Sequence, residues 1–183
     1  AKYMKENGTL KNNTAVVTVM SNMGFFKFCE DNNINCEKTK VGDRYVLENM
    51  VEKDFVIGGE QSGHIIFKEF ATTGDGQLSA LKLLCIMKAT GKKLSELASV
   101  MQVFPQTLIN VRVSDFGKAR FPNDEEIKNA IKEAEKELGD DGRVLVRVSG
   151  TEPLVRVMLE GKNEEKINTL AQEIAQVIKE RLL

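Results

Sequence analysis

What this sequence has little of narrows the field first. It contains 3 cysteines, Cys29, Cys36 and Cys85, an odd number with no C-x-x-C spacing. That pattern fits a reduced, cytosolic chain better than a disulfide framework or a zinc site. Neither sign of charge is in excess: 26 basic side chains stand against 27 acidic ones, for a net charge of -1. No general polyanion-binding surface follows, so any anion site must be local. No apolar run approaches the ~18 residues that a membrane span needs, and there is no signal-peptide pattern. Repeats and low-complexity stretches are absent. Histidine occurs once, at position 64, and is the one side chain naturally suited to proton transfer near neutral pH.

What is present is an ordinary globular composition, 42% hydrophobic and 29% charged. A chain of 183 residues holds one large or two small domains. The opening "AKYMKENGTLKN" reads as the tail of a helix that stops at Asn7-Gly8 and begins upstream in a longer protein, with a processed or tagged terminus as the other reading. "TAVVTVM" (14–20) then predicts a buried strand, "SNMGFFKFCEDNN" a short helix, "INCEKT" a second strand and "VGDRYVLENMVEK" a helix starting near Asp43. Strands alternating with helices predict βαβ units and a largely parallel sheet. "DFVIGGEQSGHIIFKEF" is hairpin-like, Gln77 to Ala89 is helical with Leu78, Leu81, Leu84 and Cys85 on one stripe, and "KLSELASVM" is a further short helix.

A boundary at Phe104-Pro105 divides the chain into 1–104 and 105–183. The second block reads β-α-β-β-α: strand "QTLINVRV", a charged helix capped by Asn123 or Asp124 and stopped by Gly139, a hairpin, and a final helix. The fold class expected is therefore α/β plus α+β. A mixed, largely parallel α/β/α sheet domain precedes a small domain with an antiparallel sheet.

The hairpin "RVSGTEPLVRVMLEG" places Ser149 opposite Leu154, and hence Arg147 opposite Arg156. Like charges directly opposite are destabilising. A phosphate would reverse that sign, with the arginines as bidentate donors, the small-residue turn as a backbone anion nest, and Ser149 and Thr151 adding hydroxyls. Gly150 supplies the backbone freedom for such a turn and lets a ligand approach the main chain. The other reading is a plain turn with Arg156 paired to Glu152 or Glu160. In "GGEQSGH", Glu60, Ser62 and His64 suit a grip on a polyol, against a simple glycine-rich turn holding a hydrogen-bonded histidine. "TTGDG" (72–76) has one Asp, too few for a calcium or magnesium loop, and reads as a turn and helix cap. "VGDR" reads as a helix start, with Arg44 free to face a ligand.

Taken together, "GGEQSGHIIF", "TTGDG" and "RVSGTEPLVRVM", with "TVMSNMG" and "VGDRYV", resemble the C-terminal half of the bacterial phosphoglucosamine mutases, within the α-D-phosphohexomutase superfamily. Gln61 and the Arg-Val-Met after the second loop favour that branch over the phosphomannomutases; Val148, where many members carry Pro, is a mild departure. The resemblance implies four domains around a central cleft and interconversion of hexosamine 6-phosphate and 1-phosphate through a phosphoserine and a 1,6-bisphosphate, with Mg2+ held by aspartates of an earlier domain. The product serves UDP-N-acetylglucosamine and cell-wall synthesis. It further implies that Glu60, Ser62 and His64 bind the sugar, with a proton-transfer role for His64. Arg147, Ser149, Gly150, Thr151 and Arg156 would bind the phosphate. This sequence has neither the serine loop nor the Asp-x-Asp-x-Asp metal loop, so the chain alone is expected to be inactive, its partners being the hexosamine phosphate and the N-terminal domains. A homodimer stays open. Same-half membership of a phosphomannomutase or phosphoglucomutase, or a non-catalytic sugar-phosphate module, are the alternatives. Nucleic acid is not expected, given acidic helices and no aromatic on the hairpin strands.

Overall fold

In the strand β1 (Thr14–Thr18) every residue is buried, because it runs through the middle of a sheet covered on both faces. The computed structural model describes residues 1–183, which divide into two units, Ala1–Val103 and Phe104–Leu183. In the first unit β1 pairs in parallel with β2 (Asn35–Thr39) and β3 (Ile57–Gly59), and β4 (Ile65–Phe67) closes the edge antiparallel to β3, in the order β2-β1-β3-β4. The mixed, largely parallel sheet expected from the sequence is thus present.

Successive residues of β1 serve opposite faces. Ala15 joins Leu10, Phe28, Ile34 and Val56 beneath α1 (Lys2–Glu6) and α2 (Met23–Asp31), whereas Val16 packs with Val46, Met50, Phe55 and Ile66 on the side of α3 (Asp43–Glu52). A Cβ on Gly58 would come within 2.5 Å of the Met50 sulfur and 2.6 Å of Val46, so the tight seat of α3 on β3 requires glycine there.

The helix α4 (Gly76–Thr90) forms where its periodicity predicts, capped by Asp75. Its expected apolar stripe is not buried: Leu81 and Leu84 are 61% and 58% exposed, and Cys85 is exposed too. The sequence pattern fixes the helix but not a covering surface, since only β4 lies closely against it. The short helix α5 spans Leu94–Ala98, less than its motif suggested.

The second unit is an antiparallel sheet of β5 (Gln106–Arg112), β6 (Gly142–Val148) and β7 (Leu154–Gly161) in the order β5-β7-β6. The helices α7 (Glu125–Leu138) and α8 (Glu164–Leu182) share one core with it, built from Val111, Val155, Val157, Leu159, Ile127, Ile174 and Ile178 among others. Asp124 caps α7, accepting from the Ile127 N–H, and its carboxylate also pairs with Arg181 of α8 at 3.1 Å. One element escaped the sequence reading: α6 (Asp115–Arg120), six residues capped by Ser114, too short to show a helical period. No helix is long and apolar enough to cross a membrane.

Candidate functional site

Two loops gather the chemistry-bearing residues, one in each unit. The first leaves the carboxyl end of β3, the edge at which open α/β sheets bind ligands. Gly63, with φ +97°, turns the chain so that Glu60, Ser62 and His64 meet. Ser62 Oγ donates to Glu60 Oε1 at 2.6 Å and lies 2.8 Å from His64 Nδ1. A hydroxyl has a single proton, so with that proton on Glu60 it is Nδ1–H that donates to Ser62, leaving Nε2 as the outward ring nitrogen. Glu60 Oε2 accepts the Gly42 N–H at 3.2 Å, so "VGDR" helps hold this carboxylate. Arg44 pairs with Glu48 of the same helix at 2.7 Å.

"TTGDG" acts here in a way its sequence did not show. Besides providing the α4 cap, it lays Gly74 against the imidazole. A Cβ at position 74 would lie 3.0 Å from His64 Cδ2 and 3.1 Å from its Cβ, so a larger residue would push the ring aside. Glu60 and Gln61 also border a 340 Å³ cavity lined mainly by apolar side chains, Val17, Phe25 and Ile65 among them.

The second loop joins β6 to β7. The register pairs Arg147 with Arg156, and Asn110 of β5 lies on the other side of Arg156 in the same row. Partial burial first, and the neighbouring Arg156 second, hold the Arg147 guanidinium below its ordinary pKa. Arg147 has no acidic partner, and the buried Nε of Arg156 has no acceptor. Arg156 Nη2 pairs with Glu152 at 2.6 Å, while Glu160 is committed elsewhere, to Arg143 and Gln106 at 2.7 Å each.

At the C-terminal end of the loop the carbonyls are tied back. Leu154 O accepts from Ser149 N at 2.8 Å, Pro153 O from Val113 N at 3.0 Å, and Glu152 O from Leu154 N at 2.8 Å and from Lys118 Nζ at 3.0 Å. Ser149 is buried and its Oγ accepts the Glu152 N–H at 3.3 Å. The N–H groups of Gly150 and Thr151 donate to nothing in the chain. Two adjacent unspent N–H groups beside an arginine pair are a donor set that suits an anion nest.

Gly150 corrects one expectation. Its φ is not positive and a Cβ there would meet nothing within 4 Å, so the fold does not demand glycine. What its bare Cα preserves is access to the main chain. Sequence reasoning also missed Lys118, on the unpredicted α6, and Arg112, which the register sets opposite Leu154 at the mouth of the loop. The exposed Arg112 has no partner in the chain. No three His, Cys, Asp or Glu side chains converge anywhere as a metal site, so the residues of this chain do not fit a magnesium ion.

Comparison with known proteins places both units. Residues 1–104 match the phosphoglucomutase/phosphomannomutase alpha/beta/alpha domain III, and residues 108–177 match the C-terminal domain of the same proteins. The chain is 58% identical over 179 residues to a phosphoglucosamine mutase of Acetivibrio thermocellus and 56% identical over 182 residues to one of Halalkalibacterium halodurans. It is covered to 98% and 100% by these matches and spans about 40% of the length of either relative. Among solved structures, Aspergillus fumigatus N-acetylphosphoglucosamine mutase, in complex with GlcNAc-6P and magnesium, aligns over 98% of this chain and 41% of its own. That alignment has a TM-score of 0.81 at 19% identity, a likeness of fold.

Proposed function

The chain belongs to the phosphoglucomutase/phosphomannomutase family, and from that premise we propose that it is the sugar-phosphate-binding half of a phosphoglucosamine mutase. The whole enzyme interconverts glucosamine 6-phosphate and glucosamine 1-phosphate in the cytoplasm, through a phosphoserine and a 1,6-bisphosphate. Its magnesium ion supplies charge neutralisation for the transferring phosphoryl group and is held by residues outside these 183.

In this reading the Glu60-Ser62-His64 loop holds the sugar. Glu60 offers its remaining lone pairs to ring hydroxyls, and the outward Nε2 of His64 accepts or returns a proton. The loop from Ser149 to Pro153 holds the phosphate that is not reacting. The bisphosphate must present first one end and then the other, so this site has to grip either phosphate alike. Backbone N–H groups and guanidinium forks do so, because they read the phosphoryl oxygens and nothing else. The observation that carries the proposal is the unspent donor set at Gly150, Thr151, Arg147 and Arg156 Nε.

A titration of the chain with glucosamine 1-phosphate, followed on backbone amides by NMR, tests it. Shifts are expected at residues 149–151 and 60–64, and the Arg147→Ala variant should lose the former set. Unmoved amides at Gly150 and Thr151 at saturating ligand would overturn the assignment of the phosphate loop. The chain alone should show no mutase turnover even with the 1,6-bisphosphate supplied.

A further inference from the structure

Two facing arginines need an anion whether or not a substrate is bound. Within the chain that anion is Glu152, whose carboxylate meets Arg156 Nη2 at 2.6 Å. Its situation differs from that of the other acid on this hairpin. Glu160 is fully buried and held by Arg143 and Gln106 as part of the sheet. The Glu152 side chain is 52% exposed, and Arg156 is its only side-chain partner. The backbone nevertheless fixes Glu152 in place: its N–H donates to Ser149 Oγ, and its carbonyl accepts from Leu154 N and Lys118 Nζ. The fold thus anchors the residue firmly while leaving its carboxylate free to move.

Resting on the phosphate-loop reading above, we infer that Glu152 is a placeholder counter-ion. It occupies Arg156 in the empty loop and yields it when a phosphate arrives, so that it sets how tightly the loop holds phosphate. One carboxylate neutralises one guanidinium, whereas a phosphate dianion neutralises both. The exchange is therefore favourable, but by less than it would be for a bare arginine pair, because the Glu152–Arg156 pair must open and the freed carboxylate repels the incoming anion. A moderated grip suits a reaction whose intermediate must let go of this loop and return with its other phosphate, since binding energy spent equally on every bound state does not speed turnover.

The sign of the effect makes the test clean. Inorganic phosphate is titrated into the whole 183-residue chain, following the Gly150 and Thr151 amides, for wild type, Glu152→Gln and Glu152→Asp. Glu152→Gln should bind phosphate roughly three- to tenfold more tightly, the loss of an exposed competing pair and of one repelling charge. Glu152→Asp, which keeps the charge, should stay close to wild type. Damage to the loop weakens binding and cannot imitate a gain. Wild-type binding with equal or weaker affinity in Glu152→Gln would overturn this inference and leave the phosphate loop standing. No binding to any of the three would overturn the phosphate loop and the placeholder with it.

Discussion

The two loops are both short, glycine-containing and polar, yet they leave opposite things unfinished. In the first unit Glu60, Ser62 and His64 satisfy one another, and Gly42 and Gly74 hold the set from outside. In the second the carbonyls of Glu152 and Pro153 are tied back, the N–H groups of Gly150 and Thr151 donate to nothing, and two arginines repel. The side chains of the first loop form a closed set that can also meet hydroxyl groups, each of which both donates and accepts. In the reading proposed above, an anion completes the second. Substitutions in the first should therefore register mainly in stability, and in the second mainly in affinity.

The largest expected effect breaks the self-satisfied loop. Glu60→Ala removes the acceptor of Gly42 N–H and Ser62 Oγ at a carboxylate only 11% exposed, and should cost about 2 kcal/mol of unfolding free energy in denaturant titrations. The affinity of the folded chain for inorganic phosphate should not change. Gly150→Ala should do the reverse. Its Cβ meets no atom and its φ is ordinary, so stability should hold within about 0.5 kcal/mol while phosphate affinity falls about tenfold by calorimetry. A stability loss with no loss of affinity would mean that the glycine is structural after all. Smallest is Lys118→Met, which frees the Glu152 carbonyl to turn toward the nest. Phosphate should bind about three- to fivefold more weakly, and Lys118→Arg should restore it. The weakening should persist in about 0.5 M salt, where the charge of an exposed lysine is screened.

Much of this was legible in the sequence because its cause is local. Alternation of apolar residues placed β6 and β7, a turn of fixed length set the register, and the register alone brought Arg147 opposite Arg156. Asp124, Gly139 and Asp75 mark helix ends by chemistry that needs no tertiary context. What escaped depends on distant partners. The six residues of α6 carry no period, and Lys118 gains its meaning only from a carbonyl 34 positions away. Gly74 gains its own from the ring of His64. The exposed stripe of α4 shows the converse: periodicity specifies a helix but cannot specify what covers it.

The most direct test compares the two loops in one experiment, the backbone amide spectrum of the chain titrated with inorganic phosphate alone. The account predicts saturable shifts at Gly150 and Thr151, with Ser62 and His64 unmoved, because the second loop carries an arginine pair with an unspent donor while the side chains of the first already satisfy one another. Shifts at 60–64 in place of 150–151, or at neither, would contradict it.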